Sequence, residues 1–194
     1  MSNIILASQS EVRKKILQEN GINCSSKPSN IDEDSVKESL LKEGSNPELI
    51  SKNLAELKAN KISMKFPDKI VIGADSVIDL EGRVISKPKN RAEALEILKK
   101  LNGKSHFLIS SVCISKNGTM IWNYTDKAEL VMKNFLIDEL STYLSKISDK
   151  NLYSYNVYQI EGLGKNLFEE IKGDKNTIMG LPVLEIKNYL KNIK

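Results

Sequence analysis

The stretch IVIGADSVI at residues 70–78 decides the fold. It is almost entirely apolar and rich in β-branched residues, which is typical of a strand buried on both faces. Asp75 interrupts this run. A buried carboxylate without a partner is unfavourable, so a strand that buries Asp75 must match it with a cation, a metal or backbone donors. Two basic residues near predicted element ends, Arg13 and Lys87, are the candidates for that match. The alternative is a strand that ends at Ala74, with Asp75 beginning a solvated turn.

Length and composition predict one domain over residues 1–194. The chain is 40% hydrophobic and 28% charged, which is enough for a substantial core. Its two cysteines, Cys24 and Cys113, have neither metal-type spacing nor a disulfide framework, which favours a reducing cytoplasm. The apolar stretch 4–7 is too short for a signal peptide, and no run approaches the ~20 residues that span a bilayer. We therefore expect a cytoplasmic protein without a membrane partner.

The net charge of +4 raises the question of nucleic-acid binding. Lysines are interleaved with acidic residues, as in Lys37-Glu38 and in residues 93–100, a pattern typical of solvated helix faces. Only 6% of residues are aromatic, so stacking platforms for bases are scarce, and we predict no nucleic-acid partner. His106 is the single histidine, and a Ser-His-Asp mechanism would depend on it alone; we discard that class.

Hydrophobic periodicity and turn residues predict a mixed α/β chain. We expect helices at 11–20, 47–65, 91–101 and 136–147, with a terminal helix from 182. We expect strands at 3–6, 70–78, 106–115, 120–132, 156–161 and 167–172, and a strand or extended segment at 22–32. Hairpin turns are predicted at 80–83 and 117–118.

Two segments favour phosphate chemistry. Ser8 and Arg13 belong to a strand–loop–helix junction, where free backbone N–H groups and the helix dipole favour an anion; the alternative is ordinary capping beside an exposed arginine. Lys87 returns across a hairpin to the end of the Asp75 strand, where carboxylate and ammonium suit phosphoryl transfer. The alternative there is a structural ion pair.

Two further segments are weaker signals. The acidic residues 32–34 are typical of a solvated loop, and Glu33 becomes a metal ligand only if this loop folds toward Asp75. The glycine-containing stretch 158–164 predicts a bulged hairpin, or a backbone that a ligand can approach closely.

Taken together, these segments resemble the Maf family over nearly the whole chain. The resemblance rests on LASQSEVRKKIL at 6–17, IDED at 31–34, LAELKANK at 54–61, IGADSVI at 72–78, ISKP at 85–88, LKKLNGKSH at 98–106, YQIEGLG at 158–164 and MGLPVLEI at 179–186. It implies a mixed twisted sheet flanked by helices, with two lobes around a central cleft, similar to the inosine triphosphate pyrophosphatases. It also implies hydrolysis of a nucleoside triphosphate to a nucleoside monophosphate and pyrophosphate.

The resemblance implies a role for each matching residue. Asp75 falls on the family's catalytic carboxylate, which accepts a proton from water. Substrate-binding positions are matched by Ser8, Arg13, Lys58 and Lys87. Glu33 and Asp75 match the positions that serve a divalent metal, Mg²⁺ or Mn²⁺. A homodimer is also expected.

Three positions distinguish subgroups of the family: Val12, Ser76 and Glu161. By resemblance, the subgroup that acts on dTTP and UTP has Arg, Thr and Gln at these three positions. Glu161 resembles the 7-methyl-GTP subgroup, and an ionised carboxylate accepts hydrogen bonds from guanine without being able to donate to uracil. Asn156 and Val157 replace the smaller residues common in the family, which alters the rim of the base pocket.

We therefore expect a nucleotide pyrophosphatase with a preference for guanine-type or modified nucleotides. The alternative is a nucleotide-binding regulator of cell division or septum formation with little turnover. Asp75, Lys58 and Lys87 favour catalysis, because a protein that only binds nucleotides needs no carboxylate to activate water.

Overall fold

The computed structural model describes residues 3–193, apart from the side chains of residues 153–155. Within that range one sheet contains seven strands: β1 (Ile4–Leu6), β2 (Ser25–Ser26), β3 (Ile70–Leu80), β4 (Arg83–Ile85), β5 (Ser105–Lys116), β6 (Thr119–Met132) and β7 (Phe168–Lys172). The helices are α1 (Glu11–Glu19), α2 (Glu33–Lys42), α3 (Pro47–Lys65), α4 (Arg91–Leu101), α5 (Ile137–Ser145), α6 (Asp149–Tyr155), α7 (Lys175–Ile178) and α8 (Val183–Asn192).

The sheet is mixed, as predicted. Its order is β2-β1-β3-β5-β6-β7, and β4 pairs with β3 outside this path. The pairs β1–β2 and β1–β3 are parallel, whereas β3–β4, β3–β5, β5–β6 and β6–β7 are antiparallel. Strand β3 is therefore central, which explains why its sequence is apolar on both faces.

Two apolar clusters lie on either side of the middle of β3. One contains Ile72 and Ala74 together with residues of α1 and α8. The other contains Ile78 and Leu80 together with residues of α4 and α5. Asp75 lies between them, so the chain forms the two expected lobes with its central carboxylate at their boundary.

The long elements follow the predictions, and their caps explain their starts. Asn46, Asn90 and Ser10 each accept a hydrogen bond from a backbone N–H in the first turn of the helix that follows, as N-cap residues do. Strand β3 continues to Leu80, so the alternative in which it ends at Ala74 is wrong.

Three local predictions are wrong. Residues 156–161 form no strand but an irregular segment, because Asn156 has φ 68° and the chain turns from Gln159 to Gly162. The acidic cluster is not a loop: Asp32 caps α2, a helix that was not predicted, and accepts from the N–H of Ser35. Helix α6 was also missed.

None of the helices in residues 3–193 is long and apolar enough to cross a membrane.

Candidate active site

Close contact between α3 and β3 brings a lysine to the central carboxylate. Gly73 faces the backbone of α3, and a Cβ atom there would lie 2.7 Å from the N of Ala59 and would overlap the carbonyl oxygen of Ala55. The missing side chain lets helix and strand approach more closely than any other residue would allow. Lys58 projects from this contact surface of α3 toward Asp75, two residues beyond Gly73.

The Lys58 ammonium joins two acidic residues. Its Nζ atom lies 2.8 Å from Oδ1 of Asp75 and 2.9 Å from Oε1 of Glu33. Lys58 is 5% exposed and Asp75 is 4% exposed, so this is a buried ion pair rather than a surface contact. Buried charges require such partners, which explains how an apolar strand accommodates Asp75.

Glu33 is the more exposed of the two acids. Burial favours its neutral form, but the charge and hydrogen bond of Lys58, with help from the charges of Lys37 and Lys87, outweigh it and hold the pKa of Glu33 below its ordinary value. The acidic loop of the prediction thus does fold toward Asp75, as the first turn of α2. Glu33 is a carboxylate at neutral pH.

Arg13 is held by three acceptors from distant parts of the chain. Its guanidinium donates to the carbonyl oxygens of Gly180 at 2.9 Å and Ala74 at 3.0 Å, and to Oγ of Ser76 at 3.1 Å. Burial lowers the pKa of Arg13, and the charges of Asp75 and Glu33 partly offset this. The alternative of an exposed arginine is wrong.

Ser76 continues this network into the interior. Ser110 donates its hydroxyl proton to the carbonyl oxygen of Thr177 at 2.7 Å, so the 2.8 Å contact between the two serines has Ser76 as the donor. The Ser76 oxygen in turn accepts from Arg13. The Ser76 hydroxyl therefore connects Arg13 with Ser110, and its role in substrate preference stays a prediction.

The loop before α1 contains the cap of that helix and Ser8, the residue predicted to bind an anion. Oγ of Ser10 accepts from the N–H of Arg13, and Oγ of Ser8 accepts from the N–H of Ser10. The Ser8 hydroxyl proton is not used in this contact. Capping by Ser10 is therefore confirmed, whereas anion binding by this loop stays a prediction.

One cleft of about 670 Å³ contains all nine predicted site residues. They are Ser8, Val12, Arg13, Glu33, Lys58, Asp75, Ser76, Lys87 and Glu161. Lys87 comes from the segment after β4, and desolvation and then the charge of Arg13 lower its pKa. Glu161 is exposed on the irregular segment opposite. A cleft of this size accommodates a nucleotide.

A family model described as Maf-like protein matches residues 3–193. The chain belongs to the Maf family. It is 71% identical over 194 residues to a protein of Pelagibacter ubique named nucleoside triphosphate pyrophosphatase, and the match covers 100% of both chains. It is 37% identical over 190 residues to a Rhizobium etli protein named 7-methyl-GTP pyrophosphatase, covering 98% of this chain and 96% of the other.

Among solved structures, the chain is similar to the Ham1 protein of Staphylococcus aureus. The TM-score is 0.44 at 14% identity, and the match covers 66% of this chain and 71% of the other.

Three features of this Maf cleft escaped the sequence analysis. Ser51 donates from α3 to the backbone carbonyl of Asp75 at 3.1 Å and thereby fixes the strand at the acid. Lys37 and Lys150 also line the cleft. Lys37 lies four residues after Glu33 and so on the same helix face, a signal that requires prior recognition of α2.

The far wall of the cleft is anchored by the single histidine. Nε2 of His106 lies 2.8 Å from the hydroxyl oxygen of Tyr158, and Tyr143 donates to the carbonyl oxygen of Val157 at 3.1 Å. His106 is buried, its Nδ1 has no hydrogen-bond partner, and burial lowers its pKa to about 4. The histidine is structural here, as it holds the segment that carries Glu161.

The carboxylates of the cleft fit a divalent metal only in part. Oδ2 of Asp75 is buried and has no hydrogen-bond partner, so it is available as a ligand. Among residues 3–193, no group of three or more His, Cys, Asp and Glu side chains is placed to hold a metal. Mg²⁺ is commonly bound by one or two carboxylates together with substrate phosphates. Glu33 and Asp75 therefore fit a metal whose remaining ligands come from a triphosphate.

Proposed function

We propose that this Maf protein hydrolyses the α–β phosphoanhydride of nucleoside triphosphates and releases a nucleoside monophosphate and pyrophosphate. The observation that carries the proposal is a buried carboxylate, Asp75, in a cleft that five cationic side chains line. These are Arg13, Lys37, Lys58, Lys87 and Lys150. Relatives named as pyrophosphatases support it.

In this reaction Asp75 accepts the proton of the water that attacks the α-phosphorus. Its Oδ2 atom has no hydrogen-bond partner, and its Oδ1 atom faces the Lys58 ammonium while the cleft holds no nucleotide. A positioned general base of this kind contributes roughly 10²–10⁴-fold to a rate. The proton moves from water to a carboxylate oxygen of Asp75 while the new P–O bond forms and the bond from the α-phosphorus to the leaving pyrophosphate breaks.

The cations neutralise the charge of the substrate and of the leaving pyrophosphate. Lys87, Lys58 and the N-terminal loop with Ser8 bind phosphate oxygens, and Arg13 adds its charge from the cleft floor. Such preorganised charge is effective because phosphoryl transfer depends chiefly on positioning and electrostatic stabilisation. Mg²⁺ or Mn²⁺, held by Glu33 and Asp75, would supply Lewis-acid stabilisation of the phosphates.

Glu161 underlies the proposed preference for guanine-type bases, including 7-methylguanine. It lies on the cleft wall formed by the irregular segment, near Asn156 and Tyr158. A carboxylate accepts from the N1–H and the amino group of guanine, and its charge favours a cationic base; uracil and thymine also require a donor to their carbonyl oxygens.

A substrate panel tests both the proposed pyrophosphatase activity and the proposed base preference. Pyrophosphate release is measured with GTP, 7-methyl-GTP, dTTP, UTP and CTP in Mg²⁺ or Mn²⁺. We expect turnover with guanine-type substrates first, and a shift toward dTTP and UTP in Glu161→Gln. The matched control is Glu169→Gln on β7, which is exposed and outside the cleft. If dTTP ranks first for the unaltered protein, the proposed base preference is wrong. If no substrate is turned over, the proposed pyrophosphatase activity is wrong.

The same panel separates this proposal from a nucleotide-binding regulator. Such a regulator would bind the nucleotides and release no pyrophosphate. A protein that only binds nucleotides does not need the buried ion pair of Asp75 and Lys58, which is unfavourable to bury. We therefore favour the enzyme over the regulator.

The expectations of a homodimer and a cytoplasmic location remain predictions. Light scattering of the purified protein gives its mass in solution and decides the first, since 21.8 kDa is the mass of one chain.

A further inference from the structure

Lys58 occupies the place that a shared metal would take. Its ammonium contacts Asp75 at 2.8 Å and Glu33 at 2.9 Å. No other ion pair reaches either carboxylate within residues 3–193. The two acids that fit a divalent ion are thus already neutralised in part by a cation of the protein itself.

We propose that the Lys58 ammonium is the counter-cation of the metal-free site, so that the protein binds a divalent metal weakly alone and takes it up together with a triphosphate. This inference rests on the proposed function. It concerns the order of binding, which the function does not specify.

The first argument is competition for the same oxygen atoms. An ammonium and a metal ion both bind carboxylate oxygens, and two cations at hydrogen-bond distance from one carboxylate repel each other strongly where solvent screening is low. Lys58 and Asp75 are almost completely buried, so screening is low. While Lys58 remains in place, only Oδ2 of Asp75 and Oε2 of Glu33, the oxygen atoms that Lys58 does not contact, are available to a metal.

The second argument is that a triphosphate removes this competition. Lys58 lines the cleft, and its ammonium is a point charge on a flexible four-carbon chain with three donors. Phosphate oxygens in the cleft offer it new acceptors, and the same oxygens complete the ligand set of a metal held by only two carboxylates. Triphosphate and metal therefore favour each other's binding, and by linkage the effect is reciprocal.

The test measures Mn²⁺ binding by water-proton relaxation enhancement, which detects metal held on the protein and requires no turnover. The unaltered protein, Lys58→Met and Lys58→Arg are titrated with Mn²⁺ alone. Lys65→Met is the control, an exposed lysine at the end of the same helix. We expect Lys58→Met to bind Mn²⁺ at least about tenfold more tightly than the unaltered protein, because it removes the competing ammonium; the size is that of the roughly 10–100-fold changes in affinity that follow mutation of residues next to metal ligands. Lys58→Arg and Lys65→Met should not gain affinity.

Equal affinity in Lys58→Met and the unaltered protein, including binding to neither, overturns the proposal. A second measurement does not depend on the folding of any variant: the unaltered protein is titrated with Mn²⁺ in the presence and absence of inorganic tripolyphosphate. We expect enhancement of water-proton relaxation chiefly when Mn²⁺ and tripolyphosphate are both present with the protein. Mn²⁺ binding that is equally tight without tripolyphosphate contradicts the inference. Either outcome leaves the substrate panel unaffected, because turnover can persist with another order of binding.

Discussion

Arg13 and Gly180 are 167 positions apart, yet Nε of Arg13 donates to the carbonyl oxygen of Gly180 at 2.9 Å. Gly180 has φ 98°, and a Cβ there would lie 3.4 Å from the guanidinium and 3.2 Å from Oγ of Ser76. The glycine thus leaves room for an arginine that links α1, β3 and the C-terminal part of the chain.

Arg13→Lys should destabilise the fold by roughly 1–3 kcal/mol, the range for lost hydrogen bonds of charged groups. One ammonium cannot reproduce the planar fork that reaches three acceptors, and the carbonyl of Ala74 would lose its donor. Urea unfolding followed by circular dichroism measures the change. Arg83→Lys, an exposed arginine on β4, should stay within about 0.5 kcal/mol. Similar effects of the two substitutions would contradict the linking role of Arg13.

Asp75→Asn should lower kcat at least about 100-fold while nucleotide binding remains measurable, because the amide keeps the shape of the side chain but cannot accept a proton from water. Pyrophosphate release gives the rate, and equilibrium binding of a nucleotide gives the affinity. Unchanged turnover in Asp75→Asn would remove this residue from the mechanism.

Gly73→Ala should lower the free energy of unfolding by roughly 1–3 kcal/mol, as insertion of an extra methyl group into a close-packed contact does. The new Cβ would meet backbone atoms of Ala55 and Ala59, so α3 must move away from β3. Urea unfolding measures this. At Gly162 the nearest atom is 3.8 Å away, and Gly162→Ala is the control. Equal stability of the two variants would show that the close approach is dispensable.

His106 predicts a pH dependence of stability. Its pKa falls from 6.5 to about 4 on folding, so the unfolded chain takes up a proton first as the pH falls. The free energy of unfolding should therefore be unaffected above about pH 6.5 and fall between 6.5 and 4, by at most about 1.4 kcal/mol per pH unit. In His106→Gln this part of the slope should disappear.

Urea unfolding at a series of pH values measures both curves. Tyr158→Phe keeps the histidine and its burial, so it should keep the slope of the unaltered protein. Parallel curves for His106→Gln and the unaltered protein would mean that His106 does not titrate in this way.

The sequence predicted the long elements and the residues that line the cleft better than the short connections. Asp75 was found because a charge in an apolar β-branched run conflicts with its surroundings, and the partner it required is present as Lys58. The sequence offered Arg13 and Lys87 as that partner, and the family resemblance implied only that Lys58 binds phosphate. Neither predicted the ion pair, because nothing local links α3 to the strand. The pairing depends on Gly73, which the sequence shows only as one more small residue.

The errors also have physical causes. Residues 156–161 read as a strand because Tyr158 and Ile160 alternate with polar residues. Tyr158 is instead held by His106 through a contact between residues 52 positions apart, and such a contact leaves no local pattern. Helix α2 has no fully buried residue, so its periodicity is weak and its start was read as an acidic loop.

Strand β3 passes through both lobes and pairs with β5 at every residue from Val71 to Asp79. A sharp bend at the cleft would strain this continuous ladder of hydrogen bonds, so the shared strand resists a hinge between the lobes. We expect any closure around a bound nucleotide to come chiefly from parts of the cleft lining outside the sheet, α2 and the segment from Asn156 to Gly162. The floor of the cleft then stays rigid while its walls adapt.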